Sequence, residues 1–149
     1  MTADGAASWT EESLPDGIDK LAAISLVAPG VGYILDVTGK VYATADNAAS
    51  WSEAGTLPLG AITIAAMNYP VAAMRFQPNG HGMVVVSTLS GGSPQVFAFL
   101  TSDGGGTWTQ ELVPAPYGLP FISRDGHFVT LMYLITMPHK ATVLKFNGE

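Results

Sequence analysis

The sequence contains no cysteine. Disulfides, thiolate metal sites and a cysteine nucleophile are therefore excluded, while the compartment stays open because secreted proteins without disulfides exist. Charge is scarce as well, with Asp, Glu, Lys and Arg at 12% of 149 residues against 48% apolar residues. That balance rules out disorder driven by high charge and points to extensive burial, as in an oligomer. Basic residues are scarcer still. Six Lys and Arg against 12 Asp and Glu give a net charge of −6, which argues against the basic surface that holds nucleic acid or anionic lipid. No apolar run suits a membrane helix either: the charge-free stretch from Phe76 to Ser102 is broken by Pro78, Asn79, Gly80, Gly82, Gly91, Gly92 and Pro94. The start, Met1-Thr2-Ala3-Asp4-Gly5, has neither the basic nor the apolar stretch of a secretory signal. The expectation is one soluble domain, residues 1–149, large enough for a core without staples.

What is present is a repeat. Thr2-Ala3-Asp4-Gly5-Ala6-Ala7-Ser8-Trp9, Thr44-Ala45-Asp46-Asn47-Ala48-Ala49-Ser50-Trp51 and Thr101-Ser102-Asp103-Gly104-Gly105-Gly106-Thr107-Trp108 match one another. Each then runs to an apolar residue and proline, Leu14-Pro15, Leu57-Pro58 and Val113-Pro114, so the whole unit recurs in register. An aspartate that accepts hydrogen bonds from turn amides, beside Gly or Asn that tolerates a left-handed backbone, makes a tight turn between strands. The β-rich runs Lys40–Thr44 and Gln95–Leu100 precede two of the copies, and a short strand follows each Trp. A helix capping box also fits Ser8, Ser50 and Thr107, but no apolar residues follow at helical spacing and proline arrives within about a turn.

The pattern Ser/Thr-x-Asp-x-Gly-x-Ser/Thr-Trp resembles the Asp-box, or BNR repeat, of sialidases, sortilin-type receptors, some endoglucanases and photosystem II assembly factors. Asn47 follows its aspartate where the other two copies have glycine, Gly5 and Gly104. The resemblance implies an all-β fold, a β-propeller of four-stranded antiparallel blades, with the box between the third and fourth strands on the face opposite the ligand. It makes Asp4, Trp9, Asp46, Trp51, Asp103 and Trp108 structural.

Strands are expected at 23–28, 32–37, 40–44 and 50–54 in one blade, and at 71–76, 83–88, 95–100 and 107–112 in the next. A third blade takes 119–123, 127–135 and 141–146, and the N-terminal strand after Trp9 completes that last blade. Box spacings of 42 and 57, with 50 across the joined ends, are each of blade length. Propellers close with about four to eight blades, so three blades per chain predict a six-bladed ring as a homodimer. The apolar stretch Leu59 to Tyr69 is expected against a neighbour or lining a pocket.

Loops opposite the boxes offer ligand-binding candidates, Asp16, Asp19, Asp36, Lys40, Tyr117 and His139. Only Arg75 and Arg124 could clamp a substrate carboxylate, and no Arg-Ile-Pro start appears, against a typical sialidase. His81, His127 and His139 lack ligand spacing, and Gly91-Gly92-Ser93 lacks the lysine of a phosphate loop. No catalytic residue, metal or cofactor is singled out. The sequence thus reads as a non-catalytic binding or assembly module for a carbohydrate-like ligand or a protein surface, with an Asp-box glycoside hydrolase as the alternative.

Overall fold

A computed structural model describes residues 8, 11, 14–18, 20–62, 64–66, 69–70, 72–90, 93–115, 118–132 and 141–145. Sheet one comprises β1 (Leu21–Ala28), β2 (Val31–Asp36), β3 (Lys40–Thr44) and β4 (Ser52–Thr56), paired in chain order. After a small ladder of β5 (Ala65–Ala66) with β6 (Tyr69–Pro70), sheet two follows as β7 (Ala72–Phe76), β8 (Gly82–Ser90), β9 (Ser93–Thr101) and β10 (Thr109–Val113). Sheet three holds β11 (Leu119–Ile122), β12 (Phe128–Met132) and β13 (Ala141–Lys145). All neighbouring strands are antiparallel, and no helix occurs among the described residues. Hence no described helix is long and apolar enough to cross a membrane.

The expected strands within the described residues form, with ends moved by up to three residues. β8 and β9 are the longest at nine residues each. Within β8, Ser87 is buried, and its Oγ accepts the Gly118 N–H at 3.0 Å. The strand after Trp9 and the segments 133–140 and 146–149 lie outside the described residues.

Sheet two is covered on both faces. Met74, Phe76, Val84, Val86 and Phe99 meet Ala22, Leu35 and Val41 of sheet one and Leu57 just after it, whereas Met83, Val85, Val96 and Ala98 meet Val129 and Leu131 of sheet three. This explains why β8 reads as a continuous apolar run where the outer sheets alternate. The apolar stretch after Leu57 folds onto its own chain: Ile64 is fully buried in the core between sheets one and two, and Leu59 and Ile62 pack on that core.

The registers of sheets one and two match over their central pairs, and sheet one alone carries register shifts, at Leu21/Ala23, Leu26/Ala28 and Val41/Tyr42. Leu26 pairs with Gly32 and Gly32 with Thr44, as Phe76 pairs with Gly82 and Gly82 with Thr101. Their environments do not match. Phe76 is 1% exposed and Leu26 is 66% exposed; Met74 is 6% exposed and its counterpart Ile24 is 58% exposed. Sheet one covers that face of sheet two, and no described sheet covers the same face of sheet one. At the other end of the stack, Phe121, Met132 and Val143 are exposed on the face of sheet three turned away from sheet two.

Candidate functional site

The two described box turns have the same internal chemistry. In the first, Asp46 Oδ1 accepts the Ser50 N–H at 3.0 Å and the Thr44 hydroxyl at 2.8 Å, and Oδ2 accepts the Ser50 hydroxyl at 2.6 Å. In the second, Asp103 Oδ1 accepts the Thr107 N–H at 3.0 Å and the Thr101 hydroxyl at 2.7 Å, and Oδ2 accepts the Thr107 hydroxyl at 2.7 Å. The Ser50 hydroxyl, then its N–H, then the Thr44 hydroxyl hold the Asp46 carboxyl down to about 2 from 3.8. The Thr107 N–H and hydroxyl, with the Thr101 hydroxyl, push Asp103 lower still. These carboxylates act as turn pins.

Each box is tied to the turn between the first two strands of its own sheet. Asn47 N–H donates to the Gly30 carbonyl at 3.1 Å, and Gly104 N–H to the Gly80 carbonyl at 2.9 Å. The antiparallel order places these turns at one end of each sheet, and the β2–β3 and β8–β9 connections at the other. Trp108 lies edge-on to Phe76, ring centres 6.0 Å apart, and Phe76 stacks on Tyr33 of sheet one at 3.8 Å. Trp51, at the same place in the first box, instead lines an apolar crevice of about 810 Å³ on the outer face of sheet one, with Leu14, Ile24 and Leu26.

At the end opposite the boxes, Asp36 is buried and its Oδ1 accepts Thr38 N–H at 2.8 Å, Thr38 hydroxyl at 2.7 Å and Lys40 N–H at 2.9 Å. It thus pins the β2–β3 turn that presents Lys40. The Lys40 ammonium reaches Glu53 at 3.1 Å, and that bond and charge raise its pKa. Asp16 is exposed in a turn closed by Ile18 N–H to the Pro15 carbonyl. The structure brings Asp36 and Lys40 together, and no described hydrogen bond or ion pair joins Asp16 to them. Asp19, Tyr117, His139, Asp4 and Trp9 lie outside the described residues.

A polar crevice of about 460 Å³ opens at the box end, between sheet two and the β11–β12 turn of sheet three. Its floor is Arg75, Met83, Leu100 and Thr109, and Asp125, Gly126 and His127 form one wall. Arg75 Nε donates to the Arg124 carbonyl at 3.1 Å, and Gln77 Nε2 to the Asp125 carbonyl at 2.7 Å. The Ser123 hydroxyl and the His127 N–H hold the Asp125 carboxyl below its usual value. Reading loops opposite the boxes could not find this crevice, because the fit of a sheet-three turn against sheet two creates it. Among the described residues no three of His, Cys, Asp and Glu gather as a metal site.

No family model matches the chain, and no curated protein does. Among solved structures it is similar to "YCF48 bound to D1 peptide", a β-propeller, with a TM-score of 0.55, 16% identity and 93% of this chain covered. The match spans 46% of that chain, so this sequence corresponds to less than half of its neighbour's length. With consecutive antiparallel sheets stacked face to face, the fold is that of a β-propeller.

Proposed function

We propose that the chain is a non-catalytic Asp-box β-propeller that binds or assembles with a polypeptide partner, working as a six-bladed ring of two copies. The observation that carries this reading is the engagement of its turn carboxylates: Asp36, Asp46 and Asp103 all accept several hydrogen bonds within their own turns, which leaves them poor candidates for proton transfer. The polypeptide partner is supported by the neighbour of like fold, which is described as bound to a peptide. A carbohydrate-like ligand is the second class of target, and Asp16, Asp19, Asp36, Lys40, Tyr117 and His139 remain the candidate rim at the mouth opposite the boxes.

Amide NMR spectra of the labelled protein, titrated with a pool of random-sequence decapeptides and separately with soluble oligosaccharides, test the partner class. Shifts with peptides alone are expected; shifts confined to oligosaccharides would reverse the choice. Nitrophenyl glycosides are expected to stay intact, and turnover lost on Asp16→Asn would overturn the non-catalytic reading. Light scattering is expected to give twice 15.5 kDa.

A further inference from the structure

We infer that the crevice beside Gly126 is the seat of a third box, filled by Thr2–Trp9 of a second copy of this chain, an inference that rests on the two-copy ring proposed above. Gly30, Gly80 and Gly126 each sit in the turn between the first two strands of their sheet with φ of 76°, 85° and 76°. The first two carbonyls each accept a box amide, from Asn47 and Gly104. No described residue donates to the third, and it borders the crevice.

The floor of the crevice repeats a seat already filled one sheet earlier. Met83, Leu100 and Thr109 form one row across sheet two, as Tyr33, Ala43 and Ser52 do across sheet one. On sheet one that row carries the box of sheet two: Gly104 lies beside the Tyr33 hydroxyl, and Gly105 beside Ala54. The same arrangement one sheet further on calls for a box against Met83, Leu100 and Thr109.

The occupant we infer is the remaining box of this sequence. Sheet one carries the box at Asp46 and sheet two the box at Asp103, which leaves the copy at Asp4 for the seat on sheet three. The segment after that copy enters sheet one at Leu21, with Leu14 against the outer face of sheet one. Sheets one and three cover opposite faces of sheet two, so that outer face points away from the chain's own third sheet. A second copy resolves the geometry. With the box of one copy on sheet three of the other, the strand after Trp9 extends edge strand β13, and the Ile24 and Leu26 face meets the Phe121 and Val143 face. A single placement fills the crevice, satisfies the Gly126 carbonyl and covers both apolar faces.

The chain has no cysteine, so engineered pairs report cleanly. Thr109 pairs with Leu100, and by the repeat Thr10 pairs with Val143 at a separation a disulfide spans. Thr10→Cys and Val143→Cys chains, purified separately, mixed and oxidised, are expected to form a linked pair in excess over either alone. Trp9→Ala in the Thr10→Cys chain is expected to abolish that excess. A mass of two chains without the mixed disulfide would overturn this seat while leaving the ring standing. A single-chain mass, or a disulfide closed within one chain of the double variant, would overturn both.

Discussion

The carbonyl oxygen of Gly105, in the box of sheet two, stands where a Cβ on Gly55 of sheet one would have to go. The box therefore presses its backbone directly on the outer strand of the preceding sheet, a contact that only a residue without a side chain permits. Gly55→Ala must push the box outward, and its expected cost is about 1 to 3 kcal/mol, the range for overpacking. Urea unfolding measures it; an unchanged midpoint would show that the boxes do not bear on the neighbouring sheet.

Asn47 and Ala48 have φ of 62° and 68°, where Gly104 and Gly105 stand in the second box. Left-handed backbone costs a residue with a Cβ roughly 1 to 2 kcal/mol. Ala48→Gly is accordingly expected to raise stability by about 1 kcal/mol, less the entropy glycine adds to the unfolded chain. Thermal unfolding decides it, and a fall in the midpoint would mean that the first box carries no such strain.

Acid should loosen the boxes. The folded Asp46 carboxyl titrates at about 2 against 3.8 for the free group, and Asp103 is also depressed. A depressed carboxyl contributes stability that is complete above the unfolded value and is lost as pH falls through the folded one. Stability should therefore drop between about pH 4 and pH 2. Asp46→Asn and Asp103→Asn should each be less stable at pH 7 and flatten that drop. Urea midpoints measured across the range would contradict the assignment if the variants retained the full slope.

Phe76 and Leu26 hold one position in two environments. Phe76→Ala is expected to cost about 3 to 5 kcal/mol of unfolding free energy, the range for a buried aromatic. Leu26→Ala should change the unfolding of a lone chain by less than about 1 kcal/mol and weaken the two-copy ring. Unfolding and sedimentation of both variants separate the two effects; equal unfolding costs would mean that the Leu26 face is covered within one chain.

Strand alternation and the three phased boxes make the sheets legible in the sequence, because period-two patterning and turn-pinning aspartates are local signals. The role of Asp36 was half legible. Its place before Thr38 and Lys40 marks a turn, but a carboxylate that binds its own backbone and one that faces a ligand look alike in a sequence. The carbonyls of Gly30 and Gly80 could not have been found, since every residue carries a carbonyl and only the fold decides which one meets a box. The stretch around Ile64 announced its burial by composition, whereas the chain's own core as its destination depends on a return path that residue order does not encode.

Among the described residues each sheet is built from consecutive strands, and the core clusters join only sheets next to one another in the chain. Such an array behaves like a row of coupled units, in which stability is a sum of unit terms and nearest-neighbour terms. The middle unit has two neighbours and each end unit only one. In a lone chain, opening should therefore begin at the outer units and spread inward, with the amides of Val84 to Val86 and Phe97 to Phe99 exchanging last. Joining the two ends of the row would remove those starting points, and would turn a chain that frays from its flanks into one that opens all at once.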